Sequence, residues 1–164
     1  MRKGKESSRK SSGAGEQSLV LTKDSREFIE LLNSNGVEYM IVGGYAVSHY
    51  TKPRFTDDID FLIRPTVENA RRMEFVIREF GFASLGLGAS DFEKEDQIIQ
   101  LGHPPERIDI ATSISGVETE AVWASRQEAE LDGIRVWYID RESLKRNKRA
   151  VARHIDRADL KRLG

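Results

Sequence analysis

Asp58-Ile59-Asp60 is the segment of this chain with the clearest chemical meaning. Side chains of extended backbone alternate between faces, so Asp58 and Asp60 project together while Ile59 and Phe61 face the other way. Two carboxylates side by side can hold hard cations such as magnesium. Spacing alone does not single them out. The chain has 27 Asp and Glu among 164 residues and seven acid-x-acid triplets, where random placement would produce roughly four. Setting separates this pair, which alone runs directly into an apolar segment of the kind that fills a buried strand, Phe61-Leu62-Ile63. Carboxylates beside such a strand are costly unless paired or bound to metal.

Two other segments belong with it. Gly43-Gly44 stands where the apolar run Tyr39-Met40-Ile41-Val42 meets a helical stretch. Glycine there lets backbone approach a ligand closely, and a helix N-terminus presents free N–H groups to an anion. An ordinary tight turn is the alternative. The pair matches neither the phosphate loop with its Lys-Ser/Thr nor the dinucleotide-binding glycine pattern. Arg107-Ile108-Asp109-Ile110 places one acid between isoleucines in a predicted strand, as an edge residue facing water or as a third carboxylate. If that strand lies beside Asp58–Ile63, three acids converge. With two magnesium ions and the helix end they form a phosphoryl-transfer site of the two-metal type.

The elements that must position these residues are legible from periodicity. A helix capped by Asp24 or Ser25 carries the stripe Phe28, Ile29, Leu31 and Leu32 and ends at Gly36. Strands are predicted over 39–42 and 58–63, with a helix over 45–50 between them and another over 67–80 closed by Gly81. Ile98–Leu101 and Arg107–Ala111 flank a Pro104-Pro105 turn, and Asp132-Gly133 is a hairpin signal between a strand ending at Leu131 and another over 134–139. Two helices follow, near 141–150 and 154–163. Alternating strands and helices with hairpins predict an α/β (α+β) fold, a mixed central sheet flanked by helices.

In this order the motifs resemble the nucleotidyltransferase superfamily with the polymerase-beta-like fold, and its minimal, AbiEii-toxin-like members in particular. The resemblance rests on Ile41-Val42-Gly43-Gly44, a short helix, Arg54-x-Thr56-x-Asp58-Ile59-Asp60, and Ile108-Asp109-Ile110. Leu144, Asn147-Lys148, Ala150, Arg153, Asp156 and Asp159-Leu160 resemble the family's closing motif, with Ala152 where a glycine usually precedes the arginine. It covers roughly residues 25–163. It implies transfer of NMP from an NTP to a hydroxyl acceptor, with Asp58, Asp60 and Asp109 holding two Mg2+ and Asp109 helping to deprotonate the acceptor. Gly43, Gly44, Arg54, Thr56 and Lys148 would bind nucleotide, Lys148 offsetting charge on the leaving pyrophosphate. It leaves the acceptor open between a tRNA 3′ end, a protein hydroxyl and a small molecule. AbiEii-type toxins often carry a further C-terminal domain, so an accessory subunit that chooses the acceptor is one implied partner, and the toxin-like resemblance itself implies an antitoxin as another. A non-catalytic nucleotide- or partner-binding protein of the same fold is the alternative.

Composition narrows the setting. Without cysteine there is no disulfide framework, zinc-cysteine site, iron-sulfur cluster or thiol nucleophile. No apolar run approaches a membrane span, and the basic N-terminus lacks the apolar stretch of a secretory signal, so a cytoplasmic protein without a membrane partner is expected. The net charge of -1 averages a body, 18–140, of -10 with ends of +3 (1–17) and +6 (141–164). Residues 1–17 lack the apolar content to order and read as a disordered basic tail. Residues 18–164 read as a single nucleotidyltransferase-like domain. The basic C-terminal segment is either a solvated helix face or placed to meet a triphosphate or RNA. Asp156 and Asp159 would pair with Arg153 or Arg162 at helical spacing. His49, His103 and His154 are too scattered for a metal set, with a nucleotide contact as an alternative role for His49. Trp123, Trp137 and Tyr138 read as core or interface.

Overall fold

The computed structural model describes residues 19–164; the tail expected over 1–17 lies outside the described residues. Helix α1 (Lys23–Ser34) starts at Thr22, whose hydroxyl accepts from the Ser25 amide at 3.1 Å. The cap therefore falls earlier than Asp24 or Ser25, because only a residue in extended backbone can aim its side chain at the third amide ahead. Strand β1 (Tyr39–Val42) leads directly into α2 (Gly43–Tyr50). Strand β2 (Asp58–Ile63) and helix α3 (Val67–Glu79) follow, with Thr66 capping the Asn69 amide. A short α4 (Ala89–Glu93), without a counterpart in the sequence periodicity, precedes β3 (Ile98–Leu101) and β4 (Arg107–Ala111). Helix α5 (Thr119–Ser125), likewise unpredicted, precedes the hairpin β5 (Gln127–Leu131) and β6 (Ile134–Tyr138). Asp132 and Gly133 both take positive φ, 51° and 83°, the backbone of a two-residue hairpin turn. Helices α6 (Arg141–Val151) and α7 (His154–Leu163) close the chain. None of the helices among the described residues is long and apolar enough to cross a membrane.

The described strands form one mixed sheet in the order β3-β4-β2-β1-β6-β5. Strands β1 and β2 run antiparallel, while β2–β4 and β1–β6 are parallel. Register decides what each face carries. Ile41 lies opposite Phe61 and Tyr39 opposite Ile63. This face holds an aromatic cluster in which Phe28 of α1 meets Phe61 at 5.4 Å and Phe80 at 5.1 Å between ring centroids. Phe28, Tyr39, Ile41, Phe61 and Ile63 are fully buried, each worth roughly 1.5–3 kcal/mol of transfer from water. The opposite face of β2 and β4 carries Asp58, Asp60, Arg107 and Asp109. The apolar half of β2 thus anchors the strand from behind the carboxylates.

Helices α6 and α7 are joined through Ala152, whose φ of 56° and ψ of 32° are left-handed. An L-residue with a Cβ is strained there and glycine is not. Ala152→Gly is expected to stabilise the fold by about 0.5–1 kcal/mol, a rise of roughly 1–4 °C in Tm. Thermal unfolding followed by circular dichroism checks it.

Candidate functional site

The three acids meet because β2 and β4 pair in parallel with Asp60 beside Asp109 and Asp58 beside Arg107. Carboxylate oxygens of Asp58, Asp60 and Asp109 lie within 4.8 Å of one another. Burial, and then the charges of Asp58 and Asp109, push the Asp60 carboxyl up to about 7, with Lys148 pulling it back. Three acids held so close repel one another, a state that a divalent cation relieves. The cluster therefore fits a hard cation by the chemistry of its donors.

Backbone at the end of β1 is shaped to these side chains. Val42 lies opposite Asp60, so the next residue, Gly43, passes directly against that carboxylate. A Cβ on Gly43 would collide with Asp60 Oδ2, and its φ of 68° is itself glycine-like. A Cβ on Gly44 would stand 2.9 Å from Thr56 Oγ1 and 3.3 Å from an Arg54 nitrogen. The Gly-Gly pair is thus more than a turn, since site side chains fill the space its missing Cβ atoms leave. The segment before β2 is fixed at three points. Ser48 Oγ accepts from the Arg54 amide at 3.1 Å, Thr56 Oγ1 donates to the Asp58 carbonyl, and the Arg54 guanidinium makes a two-pronged contact with Asp159 at 3.0 and 2.8 Å.

Lys148 is buried, 3% exposed, between Asp156 at 3.0 Å and Asp159 at 3.1 Å. Arg153 pairs with Asp156 from the other side, through Nε at 2.8 Å and its own backbone N–H at 3.0 Å. Burial works to raise the Asp156 carboxyl, but hydrogen bonds from Arg153 and Lys148 outweigh it and hold it at about 2. A continuous chain of charge therefore runs Arg54–Asp159–Lys148–Asp156–Arg153. The expected pairing of Asp156 with Arg153 is present. Asp159 instead reaches 105 residues back to Arg54, and Arg162 donates to the Lys52 carbonyl and to Thr51 Oγ1. Periodicity along a helix reports only neighbours on that helix, so the long-range partners had no signal in it.

A cleft of about 530 Å³ joins these parts. Gly43, Gly44, Arg54, Thr56, Asp58, Asp60, Asp109 and Lys148, the full set of sequence-predicted site residues, line it. His49 lies outside that lining, its ring stacked on Tyr138 at 4.0 Å. Trp123 and Tyr138 are buried, Trp137 packs partly buried against the core, and the Arg126 guanidinium lies over the rings of Trp137 and Trp123 at 4.1 and 5.6 Å. The residue that sequence reasoning passed over is Arg107. Its guanidinium contacts Asp58 Oδ2 and both oxygens of Asp109, the latter at 3.0 and 3.1 Å. Its position two residues before Asp109 on a strand, hence on the same face, was the available signal.

Sequence comparison finds no matching family model and no curated relative. Among solved structures, the chain is similar to the antibiotic-resistance factor ANT(2'')-Ia, with a TM-score of 0.52 and 14% identity over 85% of this chain and 80% of that one. It is also similar to an antigenic nucleotidyltransferase-like protein from Paracoccidioides brasiliensis, with a TM-score of 0.51 and 17% identity over 87% of this chain and 77% of that one. This is the nucleotidyltransferase fold. The lincosamide antibiotic adenylyltransferase LnuA superposes at a TM-score of 0.48 and 15% identity, over 87% of this chain and 96% of that one. Within this fold the acid triad, the Gly43-Gly44 turn and the charged wall of α6 and α7 face one cleft.

Proposed function

We propose that this protein is a divalent-metal-dependent nucleotidyltransferase that moves NMP from an NTP to a hydroxyl acceptor. The observation that carries the reading is the register of Asp60 beside Asp109, with Asp58 on the same face and the N-terminus of α2 adjoining. Asp58, Asp60 and Asp109 would hold magnesium, two ions as the sequence resemblance implies. When bound, the metal supplies charge neutralisation at the phosphates and lowers the pKa of the acceptor hydroxyl. The residues of the chain do the rest. Backbone at Gly43 and Gly44 receives the triphosphate. Arg54, Arg153 and the N–H of Lys148 left over from its two acid partners offset charge on the departing pyrophosphate. Asp109 takes the proton of the attacking hydroxyl. The acceptor O–Pα bond forms as the Pα–O bond to pyrophosphate breaks.

Three features support catalysis over nucleotide binding alone, namely three acids that form a cation-fitting donor set, a glycine turn shaped to it and a basic wall. The toxin role, with an antitoxin or accessory subunit, is carried by the resemblance to AbiEii-type enzymes. The basic segment 141–164 argues less for RNA than its charge implied, because Asp156 offsets part of the charge of Lys148 and Arg153, and Arg141 is engaged with the Leu163 carbonyl. The deciding experiment incubates purified protein with magnesium and each labelled NTP, alongside total tRNA, cell protein and a panel of small hydroxylated molecules. Label is expected on one acceptor class and is expected to vanish in Asp58→Asn. Transfer that persists in Asp58→Asn would sink the metal assignment, and nucleotide binding without transfer to any acceptor would favour the binding-protein alternative.

A further inference from the structure

We propose that Arg107 is an internal counterion of the acid triad that couples metal loading to nucleotide binding; this rests on the nucleotidyltransferase reading above. Arg107 lies opposite Asp58 in the β2–β4 register and two residues before Asp109 on the same strand. One guanidinium thereby occupies Asp58 Oδ2 and both Asp109 oxygens. Those oxygens belong to two of the three carboxylates that would hold a divalent cation. Two positive groups a few ångströms apart over one acid cluster repel strongly, so the metal and the guanidinium compete for it.

Arg107 has somewhere to go. Its side chain is 30% exposed and borders the cleft that a triphosphate would enter. A guanidinium presents a planar fork that matches phosphate oxygens as well as carboxylates. Nucleotide therefore offers Arg107 a second partner of the same chemistry and frees Asp58 and Asp109 for the cation. Metal alone must displace Arg107 with nothing to receive it. Linkage makes the effect reciprocal, so bound cation also strengthens nucleotide binding. Arg107 acts in this scheme as a positioning residue. A purely structural arginine, pinning β2 to β4, would affect folding and leave that coupling unchanged.

The test titrates Mn2+ against the full chain, with free Mn2+ read by electron paramagnetic resonance, in the absence and presence of α,β-methylene analogues of the four NTPs. Arg107→Gln is expected to bind Mn2+ alone at least tenfold more tightly than the natural chain. The factor by which the preferred analogue improves Mn2+ affinity is expected to fall at least fivefold. Arg107→Lys, which keeps a point charge without the fork, is expected to lie between them and carries the test should Arg107→Gln not fold. A folded Arg107→Gln with unchanged or weaker Mn2+ affinity, or with the analogue effect intact, overturns the inference alone. Absence of Mn2+ binding to the natural chain and both variants, with and without analogue, overturns the metal-dependent reading together with it.

Discussion

Asp60→Asn is expected to lower nucleotidyl transfer by about a thousandfold or more while raising the Tm of the metal-free protein. Both effects come from one arrangement. Asp60 is the triad member that Arg107 does not touch, and burial with two neighbouring carboxylates pushes its carboxyl up to about 7. A carboxyl whose pKa is raised by folding opposes folding wherever it is ionised. The penalty is absent below the ordinary carboxylate pKa of about 4, grows as pH rises, and is complete above about 7. An uncharged asparagine of nearly equal shape escapes it, so the variant gains on the order of 2 kcal/mol at pH 8 and much less at pH 5. Added magnesium is expected to raise the Tm of the natural chain, by binding the folded state, and to leave Asp60→Asn nearly unmoved. Thermal melts at pH 5 and pH 8, with and without magnesium, check all four conditions. A variant that melts lower than the natural chain at pH 8 without metal would contradict the repulsion on which this account depends.

Lys148→Met is expected to destabilise the fold by about 3–5 kcal/mol, because it leaves Asp156 and Asp159 buried without the ammonium between them. Met keeps the length and apolar stem of lysine, so the loss reports the charge and little packing. The sign with pH is specific. In the natural chain Asp156 is held at about 2, so its contribution is present above roughly pH 4 and is lost as pH falls towards 2. In the variant, protonation of Asp156 removes a buried charge that has lost one of its two cation partners. The stability difference between the two chains is therefore greatest near neutrality and shrinks below pH 4. Chemical denaturation at pH 7, 5 and 3 measures it. A Lys148 whose only task was to meet phosphates would leave stability unaltered and alter nucleotide affinity alone, and this comparison separates the two.

Much of the site is legible in the residues alone. Alternation along β2 and β4 says that Asp58, Asp60 and Asp109 each stand apart from the apolar side of their own strand. The apolar runs beside them say that those strands are buried enough to make the carboxylates costly. Gly43-Gly44 is legible as a close approach of backbone to something. That the something includes Asp60, Thr56 and Arg54 is not, because the contact is made across the sheet. Helices α4 and α5 escape prediction because each is short, five and seven residues, too brief to display a period. The helix entrance at Thr22 shows the same limit, since Thr22, Asp24 and Ser25 are all capping types and only backbone geometry chooses among them.

The sequence by itself determined the order of the strands and longer helices, the faces of the strands and the identity of the three acids, because periodicity and residue type are local properties. Only the tertiary structure decided that the acids converge. That outcome depends on β4 pairing with β2 in parallel at the register that sets Asp109 beside Asp60, and register is settled by packing between segments about fifty residues apart. The same long-range packing turned Arg107 from a flanking residue into the cation seated on the triad. It also drew Lys148 into a buried pair of acids, so that a residue proposed to meet phosphate holds the cleft wall.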